Sequence, residues 1–537
     1  MLLKVGAVQM LAELGQPERN LARITGHVRD LANEGAQIVA LPEAMNAGYL
    51  YDDAAHALGH GETLNGDFVA GLAELADETG VLLGCGITER QADQLYNSAI
   101  LLVPGDGVVA VHRKLNLAPH DRRWFTRGDR PAAVADTAHG RIGLFICFDS
   151  RLPWIARNLA LAEADLLLNC ANFFSEDKAT LHLPVRAAEN GVPILAASKA
   201  GRERAARYMG GSCAIDADGQ TVAQLGADIE EGTLLADLEI TPAKRRLRLQ
   251  ARRPQAYTIL DEPFAETPGG RRALEPVSVP STAVQVAAIQ GSWANTDDLG
   301  RELDEVAALG AGIWVLPQNP CHSRPLDAES ALTVAADTPA LLRRVAAATK
   351  RAKAWCVLGT VVEEAGAPIA VHAVTTPSGA TKLLRRVHLD SATAWSPVCE
   401  DWLLFDTDWG RVGVLGGADL ALPEAGRCLA SLGAELICVT AAVDASWIRD
   451  LAVLERSSET RCHFVFANRI DGCDAPGASA IVPLSGFPTP KLLAGARAPL
   501  DRPAVIAGFI ELAAARNKAI TTGTHLFEPG PPVLSPA

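Results

Sequence analysis

Short apolar runs and helical stripes alternate along the first half of the chain. VGAVQM (Val5–Met10) reads as a buried strand, and Leu21–Gly35 sets Leu21, Ile24, Val28 and Leu31 on one helical face that stops at Gly35. IVALPEA (Ile38–Ala44) is the next strand, Gly66–Thr79 the next helix and Val81–Thr88 a further strand. Asn97–Val103 and Val108–His112 flank the turn residues Gly105–Gly107, a hairpin signal. Gly143–Cys147 is a strand, Trp154–Glu163 a helix, Asp165–Cys170 a strand, Thr180–Asn190 a helix and Ile194–Ser198 a strand. Alternation of this kind with an adjacent hairpin predicts an α/β layered fold whose sheet is not purely parallel.

The pattern then recurs. VGAVQM returns as VAAIQG (Val286–Gly291), and IVALPEA as IWVLPQN, with Gln318 where Glu43 stands. GRIGLFICFDSRLP (Gly140–Pro153) returns as GRVGVLGGADLALP (Gly410–Pro423), and Arg186 and Glu189 return as Arg456 and Glu459. The blocks keep their order while their offset shrinks slowly, as it would if loops had lost residues. We read this as an internal duplication. Asp261–Ser281, rich in Pro and Gly and without apolar periodicity, reads as the linker, and the final EPGPPVLSPA as a tail. The expected organisation is one domain over 1–262, a linker over 263–282, a second domain over 283–527 and a tail over 528–537.

Composition narrows the function classes. The chain has 537 residues, a net charge of −14, 48% hydrophobic and 21% charged residues. That is ordinary globular composition, and the acidic balance argues against nucleic-acid or anionic-membrane partners. No run reaches the roughly 18–20 apolar residues of a membrane helix, and MLLKVGAVQM lacks the pattern of a signal peptide. The 11 cysteines form no C-x-x-C pair, which fits reduced thiols in a cytoplasmic protein. His112, His120 and His182 lack metal-ligand spacing, so neither a metal nor an organic cofactor is expected.

Three residues stand at the ends of buried strands, where a rigid scaffold can aim a side chain. They are Glu43 after Leu41-Pro42, Lys114 after the hairpin, and Cys147 at the end of GLFIC. Cys147 precedes a turn into a helix, whose N-terminal amides would favour a thiolate. A nearby carboxylate can take the thiol proton, and a cation can hold the oxyanion formed on a carbonyl.

LPEA, RKLNL and CFDSRLP together resemble the Glu, Lys and Cys motifs of the nitrilase superfamily of carbon–nitrogen hydrolases. RRWFTRGD, ANFF (Ala171–Phe174), RAAEN (Arg186–Asn190) and GGSCAID fall in the same order, so the resemblance spans essentially residues 1–260. It implies an α-β-β-α sandwich in which Glu43 is the general base, Cys147 the nucleophile and Lys114 the oxyanion cation, with the backbone N–H of Phe148 completing the oxyanion hole. A second carboxylate found in many members falls here on Asp121, one methylene shorter. Trp124, Arg151, Trp154, Asn172 and Phe173 are the residues expected to meet substrate. The loop GRERAAR (Gly201–Arg207) reads first as a solvated charge run, with cations for a substrate carboxylate as the alternative.

In the second copy Glu43, Lys114 and Cys147 correspond to Gln318, Arg386 and Gly417, so no base and no nucleophile remain. Cys428 and Cys438 lie elsewhere and do not repair it. Family members commonly pair their sandwiches, so the resemblance implies that the inactive copy serves as an internal partner in a pseudo-dimer; further association of chains stays open. CFDS is closer to the amidase and carbamoylase branches than to nitrilases proper. The expected reaction is hydrolysis of a small amide or carbamoyl compound through a thioester. Nitrile hydrolysis, acyl transfer to an amine, and a non-enzymatic assembly role are the alternatives.

Overall fold

The computed structural model describes all residues except 176–177, 276–282, 323–326, 391–392, 485–496, 522 and 527–537. The chain divides into two compact units. The first contains Met1–Gln250 together with Thr521, Gly523 and Thr524, and the second contains Ala251–Ile520 together with His525 and Leu526.

The first unit is built on two six-stranded sheets. Its strands are β1 (Leu2–Gln9), β2 (Ile38–Ala40), β3 (Leu82–Gln91), β4 (Gln94–Val103), β5 (Gly107–Arg113), β6 (Val134–Thr137), β7 (Gly140–Ile146), β8 (Leu166–Ala171), β9 (Ile194–Ser198), β10 (Ala200–Glu203), β11 (Ala206–Met209), β12 (Cys213–Ile215), β13 (Thr221–Gln224) and β14 (Gly232–Glu239). One sheet runs β14-β1-β2-β3-β4-β5, the other β13-β12-β9-β8-β7-β6. Each has a parallel centre (β1-β2-β3 and β7-β8-β9) and antiparallel flanks.

Period-2 alternation divides the buried faces. In β1 and β2, Leu3, Val5, Ala7, Ile38 and Ala40 pack in one core with Ile142, Leu144, Leu166, Leu168 and Ile194 of the other sheet. Val8, Val39 and Leu41 turn the opposite way, onto Ile24, Val28, Leu31, Phe68, Leu72 and Leu75 of the helices Pro17–Asn33 and Asp67–Thr79. The helices Trp154–Leu161 and Leu183–Asn190 bury Ile155, Leu159, Leu183 and Ala187. A strand buried on both faces reads as an unbroken apolar run, which is why β1, β2 and β8 look alike in sequence.

Several details differ from the sequence reading. The first helix begins at Pro17, because proline at the first helical position loses no hydrogen bond there. A short helix, Ala54–His60, carries no apolar stripe and is set by its cap: Asp53 accepts from the His56 backbone N–H. GRERAAR is the hairpin β10–β11. The helix expected from Thr180 starts as a π-helical turn, Lys178–His182.

The second unit has the sheets β19-β18-β17-β16-β15-β25 and β20-β21-β22-β23-β24. These strands are β15 (Val284–Gln290), β16 (Ile313–Gln318), β17 (Trp355–Glu364), β18 (Ala367–Thr375), β19 (Thr381–Arg385), β20 (Leu404–Thr407), β21 (Gly410–Gly416), β22 (Leu436–Ala441), β23 (His463–Asn468), β24 (Ala480–Val482) and β25 (Ala504–Ile510). Strand order, the parallel centres and even a π-helical turn, Ile448–Ala452, follow the first unit. Residues 251–275 belong to this unit. The stretch expected as a linker is helical at Phe264–Glu266 and Pro268–Leu274, because Thr267 caps the Gly270 N–H and Arg272 pairs with the buried Glu435. The remainder of that linker, 276–282, and the tail, 528–537, lie outside the described residues. None of the described helices is long and apolar enough to cross a membrane.

Candidate active site

The strand ends of the first unit bring Glu43, Lys114 and Asp121 together. All three are buried, and Lys114 Nζ lies 2.8 Å from both Glu43 Oε1 and Asp121 Oδ2. Glu43 reaches its place because Gly86 leaves room on β3: a Cβ there would stand 2.4 Å from the Glu43 Cα. Asn97, on β4, joins the two carboxylates through its Nδ2, which donates to Glu43 Oε1 and, at 3.1 Å, to Asp121 Oδ1. Tyr49 completes the set by donating its hydroxyl to Asp121 Oδ1 at 2.6 Å. The Ala118 backbone N–H donates to Asp121 Oδ2 at 2.8 Å. Asp121 is thus satisfied on both oxygens, whereas Glu43 Oε2 has no hydrogen-bond partner among the described residues.

The electrostatics follow from burial. Desolvation raises the Glu43 carboxyl above the ordinary range, against the pull of Lys114 and with help from Asp121. Burial works against the Lys114 ammonium, but Asp121, Glu43 and Cys147 more than offset it, so its pKa is raised and it stays charged. Burial and the Asp121 charge likewise keep the Tyr49 phenol neutral, as a donor.

Cys147 follows β7 and opens a 3₁₀ turn, Cys147–Arg151. Its φ is +40°, a left-handed conformation that a side-chain-bearing residue adopts at a cost of about 1–3 kcal/mol and that marks functional turns. Sγ donates to the Asn172 carbonyl at 3.4 Å. The α-helix expected after this turn starts at Trp154, as the sequence pattern placed it. Cys147 is close enough for its charge to raise the Lys114 pKa, so the two groups attract each other. Asp149 fixes the turn against the lysine loop: it accepts from the backbone N–H groups of Ile146 and Asn116, and sits 2.8 Å from His112 Nε2.

The other sequence-selected residues fall in different places. Asn172 is fully buried beside Cys147, and neither atom of its side-chain amide has a partner among the described residues. Phe148, Arg151 and Trp154 are buried along the 3₁₀ turn and the helix start. Phe173 lines a separate cavity of about 290 Å³ with Met209, Gly211 and Leu225, whose lining holds neither Cys147 nor Glu43. Trp124 meets Tyr51 edge-on at 5.7 Å. In the hairpin β10–β11, Arg204 pairs with Asp52, and Glu203 is buried, accepting from the backbone of Tyr49 and Leu50 and from the Tyr208 hydroxyl. These contacts make the hairpin a support for Tyr49. Asn97, Tyr49, Asp149 and His112 were missed in the sequence because each acts on a partner far along the chain.

The second unit has the same strand order, and the sequence positions matched to Glu43, Lys114 and Cys147 hold other residues. Gln318 and Arg386 are buried, and position 417 is glycine. A Cβ at Gly417 would stand 2.8 Å from Val443 Cγ1. The Lys114 N–H donates to the carbonyl of Asn97, whereas the Arg386 N–H donates to that of Ala370, so the bridging amide is missing too.

Comparison with known proteins bears on the first unit. The carbon–nitrogen hydrolase family matches residues 4–245. A nitrilase of Pyrococcus abyssi is 30% identical over 240 residues, 44% of this chain and 90% of that protein. An omega-amidase of Bos taurus is 30% identical over 237 residues, 41% of this chain and 83% of that protein. Among solved structures, an amidase from Nesterenkonia sp. AN1 in complex with butyramide has 25% identity and a TM-score of 0.41, covering 47% of this chain and 95% of that one. The chain belongs to the carbon–nitrogen hydrolase family. It is an enzyme acting on non-peptide C–N bonds, with nitrilases and amidases as its relatives.

Proposed function

We propose that the first unit hydrolyses a small amide or carbamoyl compound through a thioester on Cys147. The observation that carries this is the buried Glu43–Lys114–Asp121 cluster beside a cysteine in a strained turn, with Glu43 Oε2 left without a partner. Glu43 Oε2 takes the thiol proton as Sγ attacks the carbonyl carbon. Lys114 and the Phe148 N–H hold the oxyanion, and Glu43 returns the proton to the departing ammonia or amine as the C–N bond breaks. Water then attacks the thioester and gives a proton to Glu43, releasing the acid and restoring the thiol. The raised Glu43 pKa suits a group that must both take and give a proton.

Asn172 supports an amide over a nitrile. A buried amide without partners costs about 1–3 kcal/mol for each unmet group, and a substrate amide offers both a donor and an acceptor in return. No step needs a metal or organic cofactor. The second unit is, on this reading, a degenerate copy that keeps the strand order and serves as an internal partner. Ammonia release from a panel of small amides, N-carbamoyl compounds and nitriles tests the assignment. Release should be best with an amide or carbamoyl compound and fall by about 10³-fold or more in Cys147→Ala. Undiminished release in that variant would reject it.

A further inference from the structure

We propose that Thr524, near the far end of the chain, is a positioning residue for the loop that carries Lys114 and Asp121. The inference rests on the roles given to those two residues above. The loop folds back on itself from Lys114 to Gly128, and its buried carbonyls need donors. The Lys114 carbonyl is met by the Gly128 N–H at 2.9 Å, and the Leu115 carbonyl by Arg127 Nε at 2.7 Å. Both donors come from the loop itself. The Leu117 carbonyl is met instead by Thr524 Oγ1 at 3.1 Å, across 407 positions of sequence.

Thr524 has a second hold on the loop. Arg122 Nη2 donates to its Oγ1 at 3.3 Å, and the Cβ position of Gly523 faces Arg122 Cδ. Leu117 and Arg122 bracket the Ala118 N–H and Asp121, whose mutual bond sets the carboxylate that faces Lys114. Thr524 is 1% exposed, so its hydroxyl is a fixed fastening and not a surface contact that water could replace. Thr524 belongs to the first unit, although residues of the second, Ile520 and His525, stand before and after it in sequence.

Thr524→Val keeps shape and removes the donor, whereas Thr524→Ser keeps it. Both are made in the full chain, and two readouts are taken. The first is kcat and KM on the best amide. The second is the pH profile of Cys147 alkylation by iodoacetamide, located by peptide mapping, which needs no substrate. Misplacing the loop by a fraction of an ångström should lower kcat about tenfold in Thr524→Val, with KM within about twofold and the alkylation profile displaced. Thr524→Ser should stay within about twofold of the parent. Unchanged kcat and alkylation in Thr524→Val, or a loss of thermal stability alone, would overturn the proposal, as would a loss that serine fails to rescue. Failure of the hydrolase reading itself would show as amide turnover surviving Cys147→Ala, and the alkylation arm reports on the loop in either case.

Discussion

Asn97 and Tyr49 hold the carboxylates of the site in place. Asn97 donates to Glu43 and Asp121 together, and this favours the charged form of Glu43 against the burial that opposes it. An ordinary glutamate titrates near about 4.3. Because the base form of Glu43 exists only above its raised pKa, the acid limb of kcat/KM should lie above that value. Removing a donor that lowers the pKa must raise it further, so Asn97→Ala should shift the limb to higher pH in a kcat/KM profile; a shift to lower pH would contradict the assignment. Tyr49→Phe deletes the 2.6 Å donor to Asp121 and should lower kcat about tenfold, the size of one hydrogen bond to a charged group. Glu43, Lys114 and Cys147 stood out in sequence because each ends an apolar run, and the structure puts Glu43 and Lys114 in contact. Asn97 and Tyr49 did not, since nothing local distinguishes an asparagine mid-strand or a tyrosine in a loop until the fold brings Glu43 and Asp121 to them.

At the scale of elements, the alternation of strands and helices was legible from apolar runs, and the sheet order and the places where backbones must touch were not. Gly86 on β3 lets the chain at Glu43 come close, and backbone cannot yield as a flexible side chain does. Gly86→Ala should cost about 1–3 kcal/mol in urea unfolding and lower ammonia release with it. The same reasoning decides whether the second unit can be revived. Val443 stands against the Cβ position of Gly417, Ala370 replaces the bridging asparagine, and Gln318 is no base. Gly417→Cys in a Cys147→Ala background should therefore release no ammonia, and any recovery would show that the second frame is less altered than its contacts indicate. The π-helical turns before Leu183 and Val453 and the charged hairpin β10–β11 escaped the periodicity reading, because neither has a regular apolar face to announce it.

For the whole molecule, each unit closes its own core around its own pair of sheets. Scanning calorimetry should then give a measured enthalpy larger than the van't Hoff value, and equality would mean that the units melt as one. The covalent thioester on Cys147 is the claim on which the rest depends. It is tested most directly by partition: an amide and an ester of the same acid are turned over with hydroxylamine present, and the ratio of hydroxamate to free acid is measured. A shared acyl-enzyme predicts the same ratio for both substrates and the loss of both products in Cys147→Ala. A ratio that changes with the leaving group would mean that water attacks the substrate directly, and the nucleophile assigned here would be wrong.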